Sequence, residues 1–305
     1  MEGRTLGHIA ALFTMLVWGA TFVSTKVLLD YMSPLDILLA RTVLGFLALC
    51  LIRPRILRLN QRSHELLFAA AGFTGAFCYY LAENTALEFA STSFVSVAVS
   101  TAPLFTALLG FVVLKEKGFG IRFVVGFAVA ITGIALISFQ GGEAYASAPG
   151  IALCLAAAAS WAIYSVIVER LSELGYETIA ATKRIFAWGL VFMIATHFIR
   201  GGAFPLEAFA EPIVLGNLTF LGVLASAACF VTWGYSVKHL GTASASAYIY
   251  LQAPMSVVWA IVLLNDPING TIALGIVLVL AGLALSEEYD RILREQFQRS
   301  KKHQG

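Results

Sequence analysis

TALEFASTSFVSVAVSTAPLFTALLGFVVLKEK, residues 85–117, comes back in altered form as SVKHLGTASASAYIYLQAPMSVVWAIVLLNDP at 236–267. In register, Pro103 falls on Pro254 and Ser93 on Ser244, and each segment is followed by a glycine-spaced apolar run, 126–138 and 275–286. Upstream, Trp18 falls on Trp161, Lys26 on Glu169 and Arg41 on Arg184. A duplication of this length dictates architecture. Outward from it, the chain divides into apolar blocks long enough to cross a hydrocarbon layer about 30 Å thick. We read ten spans, at 8–29, 35–52, 66–88, 92–114, 121–139, 149–170, 179–199, 213–237, 242–264 and 270–286. The block at 8–29 reads as a retained helix, since no small-residue cleavage site follows a short apolar core.

Composition agrees. Of 305 residues, 59% are hydrophobic and 12% charged, with a mean hydropathy of +0.83, whereas a soluble domain carries about 25% charged residues. So little charge cannot cover a globule of this size with a wetted surface. The basic residues are distributed unevenly. Arg53, Arg55, Arg58 and Arg62 lie between spans 2 and 3, and Lys115, Lys117 and Arg122 between spans 4 and 5. Arg170 follows span 6, Lys238 follows span 8, and Arg291, Arg294, Arg299, Lys301 and Lys302 lie in the tail. All fall on one side if both termini are cytoplasmic. The expected fold is therefore an all-α polytopic membrane protein of ten transmembrane helices.

Each half holds five spans, an odd number, so the second copy must be inverted in the bilayer. We divide the chain into a first five-helix repeat (1–145), a second, inverted one (146–290) and a basic cytoplasmic tail (291–305). Inverted repeats around a central cavity are the architecture of alternating-access transporters.

At these residues the chain resembles the drug/metabolite transporter superfamily, specifically its ten-helix EamA branch. The matching features are Trp18-Gly19, the step from Ala86-Leu87 to Ala90-Ser91, Ala102-Pro103, the LKEK that closes span 4, and Ala253-Pro254. The resemblance spans roughly residues 8–286. It implies two inverted five-helix repeats and transport of small metabolites, often amino-acid export, in a bacterial inner membrane. Two positions depart from the pattern: Asp266 stands where glutamate is usual, and Gln252 is a polar residue inside a span.

Polar side chains inside spans face a cavity or a neighbouring helix. Trp18 and Thr21 share a stripe of span 1, Trp161 and Tyr164 a face of span 6, and Tyr248 and Gln252 a face of span 9. With Tyr80, Glu83, Asn84 and Ser100 they make the expected substrate-binding set. Small hydroxyls such as Thr21 and Ser100 equally serve helix packing. Lys26, Arg41, Glu83, Pro103 and Pro254 are the gating and coupling candidates. Glu83 lies about 25 Å into span 3, at the outer depth of Lys26 and Arg41. It either forms a structural ion pair with one of them or acts as a titratable gate carboxylate. Each proline removes a backbone donor and marks a bending point.

The leading expectation is a secondary active transporter of a small neutral or zwitterionic metabolite, foremost an amino-acid exporter. A multidrug or quaternary-ammonium carrier is the alternative, with Glu83 and the aromatics enclosing a cation. An intramembrane enzyme lacks support, because the five histidines are scattered without HExxH spacing and no Walker motif is present. A channel-forming subunit does not need the paired prolines. The four cysteines fall inside apolar blocks and read as packing residues. No cofactor, metal or nucleic acid is called for. The expected partners are the lipid bilayer, a small solute and protons as a coupling ion, and one copy of the chain suffices.

Overall fold

A computed structural model describes residues 2–114, 121–138, 146–201, 203–240, 245, 247–265, 270–271, 273–282 and 284–285. Lys115, Glu116, Lys117, Ser244, Asp266 and the tail from 291 lie outside the described residues. Apart from one isolated antiparallel bridge between Ala90 and Ala146, the described elements are helical. That is the expected outcome for backbone in hydrocarbon, where each N–H and C=O must find a partner within its own segment.

Helix α1 (Glu2–Leu28) is followed by α2 (Pro34–Ile52). Ser33 caps α2, accepting from the Asp36 amide at 3.3 Å, and Pro34 fills the first turn. Helices α3 (Glu65–Ala71) and α4 (Tyr79–Phe89) are joined without interruption by a π-helical stretch, Gly72–Cys78. Then come α5 (Thr92–Val99), α6 (Ala102–Leu114), α7 (Ile121–Ser138), α8 (Ala148–Glu173) and α9 (Thr178–Arg200). Helix α10 (Pro212–Thr219) runs through a second π-helical stretch, Phe220–Ala228, into α11 (Cys229–Leu240). A 3-10 turn, Ala247–Leu251, precedes α12 (Gln252–Leu264), and α13 covers Ala273–Gly282.

Among the described residues, six continuous helices are long and apolar enough to cross a membrane, at the places expected for spans 1, 2, 3, 6, 7 and 8. Shorter apolar helices occupy the places of spans 4, 5, 9 and 10. The chain is thus an all-helical, polytopic membrane protein.

The reading of 92–114 as one kinked span needs correction. Helix α5 ends at Val99, Ser100 and Thr101 form a turn, and Pro103 sits in the first turn of a new helix, α6. A first-turn proline loses no hydrogen bond, because the amide it lacks would have been unpaired there anyway. Pro254 likewise stands in the first turn of α12, just after the 3-10 turn.

The heaviest packing joins residues from the two halves of the chain: α1 on α11 and α12, α4 on α8, and α2 on α9 and the second π-helical stretch. Polar stitches run along these seams. The Ser236 hydroxyl donates to the Gly7 carbonyl at 2.9 Å, and Thr14 and Thr232 share a hydroxyl hydrogen bond of 2.6 Å. Close approach of α2 to the second π-helical stretch depends on Gly222. A Cβ there would stand 2.5 Å from Leu44 Cβ and 2.9 Å from the Arg41 carbonyl oxygen. Gly222→Ala is therefore expected to destabilise the protein by about 1–3 kcal/mol. Gly216→Ala, where an added Cβ meets nothing within 4 Å, should leave it unchanged or slightly more stable. Thermal unfolding of both variants in detergent tests the pair.

Candidate functional site

The two π-helical stretches organise the centre of the molecule. In each, the backbone shifts to a five-residue hydrogen bond: Tyr79 N–H donates to the Thr74 carbonyl and Cys229 N–H to the Leu224 carbonyl. Wide turns of this kind expose carbonyl oxygen to further donors. The Thr74 carbonyl also accepts from the Ser160 hydroxyl of α8, at 2.9 Å. The Ala225 carbonyl accepts from the Trp18 indole N–H of α1, at 2.9 Å. Residues 74 and 225 are equivalent in the register that pairs Pro103 with Pro254, so each π-helical stretch is held by the helix that opens the other half.

These bonds aim the aromatic residues. Trp18 and Trp161 meet edge to face at 5.4 Å between ring centroids. Trp18 also packs on Phe230 at 5.8 Å and Trp233 at 5.7 Å. Tyr79 lies 4.8 Å from both Trp161 and Tyr80, and Tyr164 lies 5.0 Å from Trp161. Such edge-on and tilted pairs are the favoured ring geometry. Gly75 lets α8 close on the first π-helical stretch here, since a Cβ at this position would collide with the Tyr164 ring.

Beside the rings lies a buried polar group. Arg41 has 0% exposure, Glu83 1% and Asn84 0%. Arg41 Nε donates to Ser226 Oγ at 3.2 Å, and its guanidinium carbon stands 4.2 Å from the centroid of the Tyr80 ring. The Tyr79 hydroxyl donates towards the Glu83 carboxylate one turn further along α4. Asn84 Nδ2 donates to the Pro34 carbonyl at 3.2 Å. Among the described residues, both terminal nitrogens of Arg41, Glu83 Oε2 and Asn84 Oδ1 are buried without a hydrogen-bond partner. In apolar surroundings each such atom costs roughly 1–3 kcal/mol, and more where it carries charge.

The structure brings together Trp18, Tyr80, Glu83, Asn84, Trp161 and Tyr164 of the expected set. Thr21 and Ser100 are buried, but they donate to the carbonyls of Trp18 and Ser96 on their own helices. Tyr248 pairs with His8 Nδ1 at 2.7 Å, towards the start of α1. Gln252 is buried at the first position of α12. The expected Glu83 ion pair with Lys26 does not form, because Lys26 Nζ donates to the Leu87 carbonyl at 2.5 Å. Nor does Glu83 form an ion pair with Arg41 within 4.0 Å among the described residues. Arg41 turns to Ser226 and Tyr80 instead. Phe230 and Ser226 were not anticipated; the repeat register sets Phe230 opposite Tyr79 and would have revealed it.

At another place on the molecule, a cavity of about 360 Å³ is lined by Phe46, Cys50, Pro54, Glu65, Arg184 and Trp188. Its charges are satisfied internally. Arg184 binds the Glu65 carboxylate through Nε and Nη2 and the Leu57 carbonyl through Nη1, and Trp188 donates to Glu65 at 2.6 Å. Lys183 donates to the carbonyls of Arg53 and Arg55.

The EamA-like transporter family matches residues 5–139 and again 148–287. The chain belongs to that family. A protein named "Probable terminal-alkyne amino-acid exporter", from Streptantibioticus cattleyicolor, is 30% identical over 281 residues, 90% of this chain and 91% of its own length. An "Uncharacterized transporter" from Archaeoglobus fulgidus is 26% identical across 94% of this chain and 98% of its own. A "Probable amino-acid metabolite efflux pump" from Escherichia coli is 25% identical across 91% and 93%. A solved crystal structure shares the fold, with a TM-score of 0.66 at 17% identity, over 95% of this chain and 99% of that one.

In this EamA family member the Trp18 indole does two jobs, packing and donating. Trp18→Phe keeps a ring in the cluster but leaves the Ala225 carbonyl without its side-chain donor. The expected loss is about 1–3 kcal/mol of stability, read as a lower unfolding midpoint in detergent. An unchanged midpoint would show that the indole bond contributes nothing.

Proposed function

We propose that this EamA family member is a secondary active transporter that moves a small neutral or zwitterionic metabolite by alternating access, and that it acts as an amino-acid exporter. The observation that carries the reading is the juxtaposition, at the seam of the two halves, of an aromatic cluster with a buried arginine and a buried carboxyl group, both with atoms unpartnered among the described residues. Rings suit an apolar side chain, and opposite charges suit a solute with no net charge. The names of the Streptantibioticus and Escherichia relatives support the same direction. The binding set is Trp18, Tyr80, Glu83, Asn84, Trp161 and Tyr164, with Thr21, Ser100, Tyr248 and Gln252 as further members. A quaternary-ammonium carrier is the second reading, favoured by Glu83 among aromatic rings, but a buried Arg41 in the same niche opposes a ligand with net positive charge.

The architecture within this proposal is ten spans in two inverted repeats, 1–145 and 146–290, with both termini and the basic tail 291–305 cytoplasmic, in a bacterial inner membrane, one copy sufficing. The two separate family matches support the duplication, and the breaks before Pro103 and Pro254 support these prolines as the points where helices reorient. Lys26, which ties α1 to the end of α4, belongs with them as a gate residue.

Purified protein in liposomes should show saturable uptake of radiolabelled neutral amino acids that is stimulated by the same amino acid inside. Non-saturating flux, or flux confined to quaternary cations, removes the amino-acid reading. Glu83 is proposed as the proton-coupling group; Tyr79, Tyr80, Arg41 and Cys154 are the titratable and charged neighbours that bear on it. Glu83→Gln should then abolish the pH dependence of transport without unfolding the protein, and retention of that dependence excludes Glu83 as the coupling site.

A further inference from the structure

The duplicated frame sets an arginine at equivalent places in α2 and α9 and treats the two in opposite ways. Arg184 is closed off: Nε and Nη2 hold the Glu65 carboxylate, and Nη1 holds the Leu57 carbonyl at 3.1 Å. Arg41 uses Nε alone, and among the described residues Nη1 and Nη2 have no acceptor although the side chain is fully buried. In the register that pairs Pro103 with Pro254, Glu65 corresponds to Gly216, and no carboxylate lies within 4.0 Å of Arg41 among the described residues.

Three features around Arg41 make the deficit specific. Tyr80 lies face-on to the guanidinium, which fixes its plane. Glu83, three residues after Tyr80, is on the same face of α4 and presents a second unpartnered atom, Oε2. Asn84, the next residue along α4, presents a further buried acceptor, Oδ1, with no partner among the described residues. A guanidinium offers parallel N–H donors in a rigid fork that matches a carboxylate. An acceptor-only group of that shape is what the site lacks, and a cation is what Glu83 Oε2 lacks.

We propose that Arg41 is the anchor for the carboxylate of the transported solute, with its two terminal nitrogens taking the two oxygens, while Glu83 and Asn84 take the ammonium of the same molecule. This rests on the carrier reading above and narrows it to solutes with a free α-carboxylate. The aromatic cluster receives the side chain. Ser226 acts as a positioning residue, since it holds Nε and so turns the fork towards α4.

The test compares L-leucine and L-phenylalanine with their carboxamides, which keep the side chain and the amine but lack the carboxylate. Binding to the full-length protein in detergent is measured by calorimetry. The wild type should bind at least one acid about tenfold or more tightly than its amide, the size of a charge-assisted fork. Arg41→Gln should weaken acid binding to the level of the amide, and Ser226→Ala should reduce the acid-to-amide ratio several-fold. The ratio separates anchoring from a merely structural role, because general loosening weakens acid and amide alike. Equal wild-type binding of acid and amide overturns the proposal even if Arg41→Gln does not fold, and leaves the carrier reading standing. Retention of the ratio in Arg41→Gln also overturns it. Failure of all four compounds to bind overturns it too, while the liposome flux measurements decide the carrier reading independently.

Discussion

A helix that widens by one residue opens its carbonyl oxygens to donors from outside the helix, and inside an apolar bundle those donors must come from neighbouring helices. Much of the core of this protein follows from how it meets that demand twice. Ser160 reaches the Thr74 carbonyl and Trp18 reaches the Ala225 carbonyl. Both donors come from the opposite half of the chain, so each widened helix is bound to the other half. The halves are thereby interleaved rather than set side by side. The Trp18 bond also sets the indole plane, and with it the edge-to-face contact with Trp161 and the position of Phe230.

The same widening carries Ser226 and Gly222 to α2. Gly222 lets the backbones approach, and Ser226 receives Arg41. A fully buried guanidinium with two idle nitrogens is unfavourable by itself. It is kept in place by the Tyr80 ring, by one hydrogen bond and by the distant field of Glu83, none of which neutralises it. Lys26, by contrast, spends its charge on the carbonyl of Leu87, where α4 ends and a cation is favoured.

The repeat made much of this legible from residues alone. The pairing of Trp18 with Trp161, of Pro103 with Pro254 and of Arg41 with Arg184 each corresponds to something physical: ring contacts, helix breaks, and an arginine set against the other half of the chain. Glu88 was readable as a helix-end carboxylate and is exposed in the last turn of α4. What could not be read has a common cause. The partners of Lys26, Lys183 and Trp18 are backbone carbonyls, which carry no side-chain signature. The π-helical stretches depend on a donor from another helix, so no local periodicity announces them. Tyr248 shares a helical face with Gln252, yet it is claimed by His8, 240 positions away. Facing is set by local geometry, whereas partnership is set by the assembled fold.

Duplication supplies a frame with two equivalent arginines, but two equivalent free arginines would be a poor solution. Each would bear the full desolvation cost, and the chain would hold two competing anion sites. Two fully paired arginines would leave a rigid bundle with nothing to attract a solute. Pairing Arg184 with Glu65 while Arg41 has no carboxylate partner among the described residues resolves the conflict at the level of one residue. The tied arginine closes the loop between α2 and α3 onto α9, and the untied one sits at the seam, against the aromatic cluster. The symmetry of the backbone is thus retained for folding, while the loss of a single carboxylate from one repeat gives the molecule one charged niche rather than two or none.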